Sequence, residues 1–101
     1  MNSAPLQKGM GVQYTVNTLN VNQPVIINLL KIVHPTMIWV NPGGNGVGVQ
    51  VYYSLDNQMT WKTWPTGGVI SYTEWIFPYP VTALKILQYS GPSGQATYGY
   101  I

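Results

Sequence analysis

No cysteine occurs in this chain. Disulfides and thiolate-bound metals are therefore excluded. Arginine is absent as well, and the four lysines, Lys8, Lys31, Lys62 and Lys85, are scattered. Phosphate recognition relies on clustered Arg and Lys, so a net charge of +2 does not point to nucleic acid. Acidic side chains are limited to Asp56 and Glu74, and His34 is the single histidine. A zinc site needs three or four such ligands, so all three would have to converge. His34 stands before Pro35 at a strand boundary and reads as a loop residue. We expect no metal and no cofactor. A Ser-His-Asp triad would have to recruit His34 with one of the two carboxylates, and no G-x-S-x-G elbow is present. A glycosidase pair could only be Asp56 with Glu74. No catalytic residue is assigned, and the chain reads as a non-enzyme.

Long apolar runs are missing too. The longest, PVIINLLKIVHP at residues 24–35, contains Asn28 and Lys31. It falls well below the ~20 residues of a membrane span. The start, MNSAPLQKGMG, lacks a basic stretch followed by an apolar one, so no secretory signal is read. Neither membrane nor nucleic acid is an expected partner.

Charge is the scarcest property. Charged residues make up 6% of the chain, against about 25% in ordinary soluble domains. The polar surface must be built from Asn, Gln, Thr and Ser. Aromatics are plentiful, with eight Tyr and four Trp. Interfaces favour aromatics and discourage charge in their cores. The composition suits a protein that lives in an assembly.

The 101 residues fit one domain. Proline and glycine cut the chain into strand-length pieces. The expected strands are Val12–Asn17, Val25–Val33, Thr36–Asn41, Val47–Ser54, Thr60–Trp64, Val69–Phe77, Val81–Tyr89 and Gln95–Ile101. In the fourth, Val47, Val49, Val51 and Tyr53 alternate with Gly48, Gln50, Tyr52 and Ser54, the period of a half-buried strand. Leu84 and Ile86 share one face of the seventh, opposite Ala83, Lys85 and Leu87. The second could be a buried helix by pattern, but its Val and Ile content and its length favour a strand. Residues 1–11 lack alternation and read as an N-terminal arm, leaving 12–101 as the domain. About eight short strands imply an all-β fold, an antiparallel β-sandwich or jelly roll, or failing that a small barrel.

Residues 54–61 read Ser-Leu-Asp-Asn-Gln-Met-Thr-Trp. They resemble the Asp-box, S-x-D-x-G-x-T-W, at Ser54, Asp56, Thr60 and Trp61, with Gln58 in place of glycine. In the families that carry it this motif is a structural turn and not an active site. The physics agrees, because Ser and Asp side chains accept turn N–H groups that no strand reaches. The Asp56 carboxylate is expected on the N–H groups of residues 57–60. The left-handed position that glycine would fill falls to Asn57.

Residues 47–101 set out a Val-rich strand, this turn, Trp-x-x-Trp-Pro, a Thr-Ala-Leu-Lys-Ile strand and a last strand after Gly91-Pro92-Ser93-Gly94. In this order they resemble small β-sandwich structural proteins of tailed-bacteriophage virions, which decorate or cement capsids or build tails and fibres. The resemblance implies a homo-oligomer that binds the major capsid protein or another virion protein. It also implies synthesis in the bacterial host cytoplasm and a place in the virion. Candidate interface residues are Met1, Leu6, Met10, Trp39, Trp64, Trp75 and Tyr79. By strand parity Trp61 and Trp64 point to opposite faces, with Trp61 expected inside and Trp64 near the surface. The alternative is a carbohydrate- or receptor-binding β-module of a tail fibre or secreted protein. Trp39, Trp61, Trp64, Trp75, Tyr79, Tyr98 and Tyr100 would then supply rings for stacking a glycan.

Overall fold

The computed structural model describes residues 12–29, 37–43, 46–92 and 94–100. The expected arm, with Met1, Leu6 and Met10, lies outside them, as does His34. Among the described residues eight antiparallel strands form: β1 (Val12–Leu19), β2 (Val25–Asn28), β3 (Met37–Gly43), β4 (Gly48–Ser54), β5 (Lys62–Thr63), β6 (Thr73–Ile76), β7 (Ala83–Ser90) and β8 (Gly94–Tyr100). The pairs are nested: β4 with β5, β3 with β6, β2 with β7 and β1 with β8. The chain is thus a ribbon doubled at the β4–β5 turn. The ribbon then rolls, so that β8 also joins β3 and β7 also joins β4. Two sheets result, β1-β8-β3-β6 and β2-β7-β4-β5. Of the two expected sandwiches, this strand order is the jelly roll.

Period-2 alternation builds the core. Val49, Val51 and Tyr53 of β4 and Leu84 and Ile86 of β7 turn inward, facing Ile38 and Val40 of β3 and Ala96 of β8. Burying each large aliphatic side chain contributes roughly 1.5–3 kcal/mol. Val25 and Ile27 of β2 lean on this core while Ile26 between them is exposed.

Four expected strands change shape. Thr60–Trp64 shortens to Lys62–Thr63. Of Val25–Val33, residues 25–28 form β2, and Leu29 turns into the core and gives its N–H to the Thr82 carbonyl at 3.0 Å, while 30–33 lie outside the described residues. The Thr36–Asn41 strand runs on through Pro42. Proline is tolerated there because β6 stops pairing at Val40, so that stretch of β3 is an edge. Val69–Phe77 is two pieces. Val69 bridges to Val49 in one sheet, whereas residues 73–76 pair with β3 in the other.

The end of the sandwich away from the β4–β5 turn is closed by backbone contact. Gln88 is fully buried, and its Nε2 donates to the carbonyls of Ser90, Gly91 and Pro92 at 2.9, 3.1 and 2.7 Å. This fixes the β7–β8 turn. Gly91 sits there at φ +88°, and a Cβ on it would lie 2.4 Å from the Gly46 carbonyl oxygen. Gly67 is also left-handed, at φ +83°, but its Cβ would meet open space. Gly67→Ala should therefore carry only the left-handed penalty of about 1–2 kcal/mol. Gly91→Ala should cost more, because the backbone at Gly46 and Val47 must move as well. Thermal unfolding followed by circular dichroism checks this, and equal losses for the two variants would contradict it.

Candidate functional site

The β4–β5 turn is a closed hydrogen-bond network. Ser54 is buried, and its Oγ donates to Asp56 Oδ1 at 2.8 Å. The same oxygen accepts from the backbone N–H groups of Asp56 and Gln58 at 3.3 and 2.9 Å. Asp56 Oδ1 accepts the Thr60 N–H at 2.9 Å, and Oδ2 accepts the Thr60 hydroxyl. Across the sheet, Thr82 Oγ1 donates to the Ser54 carbonyl and accepts the Asn57 N–H, both at 3.0 Å. The Thr60 hydroxyl and N–H, followed by the Ser54 hydroxyl, hold the Asp56 carboxyl down at about 2. A carboxylate so occupied suits holding a turn and not passing protons. Asn57 takes the left-handed conformation at φ 57°, and Gln58 does too, at φ 73°.

Two surfaces stand out. The first is the outer face of β2-β7-β4-β5. Register lines up Ile26, Lys85, Tyr52 and Thr63 across its four strands. Lys85 Nζ lies 5.0 Å from the Tyr52 ring centre and 4.7 Å from that of Trp61. Each such cation–π contact is worth about 0.5–1 kcal/mol at an open site. Further along β7, Tyr89 packs on Gly48 and Gly68, where any Cβ would fall within 3 Å of the tyrosine. Tyr89 nonetheless stays 43% exposed and Ile26 50%.

The second surface is the side bordered by β5 and β6. Trp64 and Phe77, the residues that follow these strands, meet edge to face at 5.7 Å. The two edge strands therefore border one side of the sandwich. Tyr53 packs on Phe77 at 4.8 Å, and its hydroxyl lies 3.5 Å from that of Tyr79. That hydrogen bond and burial push the Tyr53 hydroxyl up to about 12. Trp75 and Ile76 stand exposed on β6 around an open depression that Glu74 also lines. Glu74 accepts the Tyr72 hydroxyl at 2.9 Å.

Of the interface residues expected from the sequence, Trp75 and Tyr79 lie at the surface, and Trp39 and Trp64 do not. Trp64 is 2% exposed. Parity misplaces it because β5 ends at Thr63 and a turn begins at Trp64, whose carbonyl accepts the Gly67 N–H at 3.0 Å. Its N–H still reaches the Val51 carbonyl at 2.8 Å, which keeps the indole against β4 and inside. Trp61, expected inside, is half-exposed beside Lys85. Trp39 is buried on the outer face of β3, opposite Gly99 in register and stacked on Tyr72 at 5.7 Å. Tyr98 and Tyr100 are half-buried against the core and offer no open platform. Sequence reasoning missed Ile26, Tyr52 and Tyr89, although the alternation that placed Lys85 and Leu87 outward also carries Tyr89 there. Among the described residues, no three potential metal ligands come together. No protein-family model matches the chain, and no curated protein or solved structure does either.

The turn makes two expectations. Gln58→Gly removes a left-handed cost of about 1–2 kcal/mol and returns about 0.5–1 kcal/mol of unfolded-state entropy. It should therefore raise the melting temperature by a few degrees, and a drop would mean that the Gln58 side chain contributes more than its backbone costs. Asp56 is more acidic folded than unfolded, where a value near 4 applies. Its contribution is present above about pH 4 and is lost as pH falls through about 2. The melting-temperature gap between wild type and Asp56→Asn should be widest above pH 4 and close toward pH 2. A gap independent of pH would show that the charge is not what Asp56 contributes.

Proposed function

We propose that this chain is a non-catalytic structural protein of a tailed-bacteriophage virion, a decoration or cement protein that binds the capsid shell and stabilises it. One observation carries the reading. The described residues include four charged side chains, Asp56, Lys62, Glu74 and Lys85. Asp56 is consumed by its own turn and Lys85 is covered by two rings. Meanwhile large apolar side chains such as Ile26, Ile70, Trp75, Ile76 and Tyr89 stay exposed. A freely diffusing domain keeps a charged surface to stay dispersed. A surface with this balance suits permanent contact.

The outer face of β2-β7-β4-β5 is the shell-binding surface in this proposal. It is a continuous sheet face with apolar and aromatic side chains and one shielded cation. The partner is the major capsid protein. Each contact adds free energy to the assembled shell and to no other state, so shell stability rises by mass action. Many copies on one lattice add avidity.

A second reading rests on Tyr52 and Trp61, whose rings both border Lys85 on this open face. Rings so placed are where a glycan would stack, which would make the chain a receptor-binding module.

The test is to purify particles and measure the copy number of this chain relative to the coat protein. A fixed stoichiometry is expected. Burial of apolar surface contributes about 25 cal/mol per Å² before association costs, while exposed ion pairs add about 0–1 kcal/mol and are screened by salt. Washing from about 0.1 M to about 1 M sodium chloride should leave the chain attached. Tyr89→Ala and Trp61→Ala should release it far more than Lys62→Gln. Loss in salt, or absence from particles combined with glycan binding that Trp61→Ala abolishes, would overturn the shell assignment.

A further inference from the structure

Lys85 is a cation that its own chain leaves without an anion. The acidic side chains are Asp56 and Glu74 and no others. Asp56 is taken up by Ser54 and Thr60 in the β4–β5 turn. Glu74 lies on β6, in the other sheet, and accepts the Tyr72 hydroxyl. What meets the Lys85 charge is the pair of rings of Tyr52 and Trp61. Its place is inside the face and not at the rim. In register it has Ile26 of β2 on one side and Tyr52 of β4 on the other, with Thr63 of β5 beyond. Ile26 and, further along β7, Tyr89 are exposed apolar surface on the same face.

Covering this face, as the shell assignment requires, takes Lys85 out of water. A buried charge without an opposite charge is strongly unfavourable. Two rings offset part of that cost and leave the charge in place. Interface cores are depleted of charge for this reason. A coat surface that is apolar throughout is therefore penalised here, whereas one with a single anion in the right place is accepted. We infer that the contact carries a carboxylate, an Asp or Glu side chain of the coat protein, which pairs with Lys85 as the face is covered. The occupant follows from charge complementarity, since this face supplies a cation and no free anion. Lys85 then determines specificity. Apolar contact around Ile26 and Tyr89 tolerates sliding, while one enclosed ion pair fixes which patch of the shell is bound and in what register. The inference rests on the shell assignment and adds the chemistry of its partner.

The test titrates wild type and variants onto purified particles that lack this chain. Lys85→Met keeps a stem of similar length and removes the charge, so it should bind at least about tenfold more weakly. Lys85→Glu sets two carboxylates against each other and should lose at least about a further tenfold. Lys62→Glu makes the same charge change at an exposed site and should bind within about twofold of wild type. An enclosed pair is poorly screened, so the Lys85→Glu defect should persist at about 1 M sodium chloride. Far-ultraviolet spectra and melting temperatures confirm that each variant is folded. Wild type that fails to bind particles would overturn the shell assignment and this inference together. Wild type that binds, with Lys85→Glu binding equally well, would overturn the carboxylate alone. So would equal losses in Lys85→Met and Lys85→Glu, which would mean a neutral acceptor. Binding to a carboxylated glycan in place of particles, abolished by Lys85→Met, would move the anion from the coat protein to a sugar and overturn the partner named here.

Discussion

The fold depends on one reversal, held by Ser54, Asp56 and Thr60. Every strand pair is nested outside it, from β4 with β5 to β1 with β8, in which Val12 meets Tyr100. The innermost pair closes a short loop and the outermost closes nearly the whole chain. Loop-closure entropy grows only slowly with length, but each outer pair is aligned by the one inside it. A slip of one residue at the turn would send every inner side chain to the wrong face. The network prevents that slip in two ways. Asp56 and Ser54 satisfy the turn's own N–H groups. Thr82 also binds both Ser54 and Asn57, which locks the start of β7 to the end of β4.

What could be read from the sequence follows from which interactions are local. The turn was legible because Ser54, Asp56 and Thr60 bond within seven residues and leave a pattern in the order of side chains. The inner face of β4 was legible because alternation is a local signal. Trp61 and Trp64 were read with the wrong depths because parity holds only while a strand lasts, and β5 lasts for two residues. Trp39 looked available because its cover, Tyr72, comes from a distant segment. The break in 69–77 was hidden for the same reason, since Val69 and Thr73 are assigned to different sheets by partners remote in sequence. Jelly-roll order is itself a property of pairing across the chain, which strand count and spacing do not specify.

Scarcity of charge has a structural consequence beside the function proposed from it. Lys85 lies mid-sheet, paired across from Tyr52, where a carboxylate neighbour would be the ordinary solution. The chain instead places two aromatic faces on it. Aromatic rings stabilise a cation without creating a strongly hydrated anion beside it. The surface around Lys85 therefore stays easy to dehydrate, as the proposed shell contact would require. Ordinary surface ion pairs would keep water bound there.

Rigidity is concentrated at the two ends of the sandwich. One end has the Ser54–Asp56–Thr82 network. The other has Gln88 bonded to three consecutive carbonyls, with Gly91 pressed on Gly46. At the second end the Gln88 amide oxygen is buried without a hydrogen-bond partner among the described residues, so it is closed to a partner as well. The polar groups of Asp56 and of the Gln88 amide nitrogen are spent internally, so these ends give a partner little to bind. What is left is the open sheet face around Tyr89 and the side around Trp75, where burial is incomplete and the underlying strands are fixed at both ends. Side chains on such strands lose little further backbone entropy when they are covered, so a larger share of the buried apolar area is realised as affinity. The same hydrogen bonds that set the register thus prepare the surfaces that the register leaves exposed.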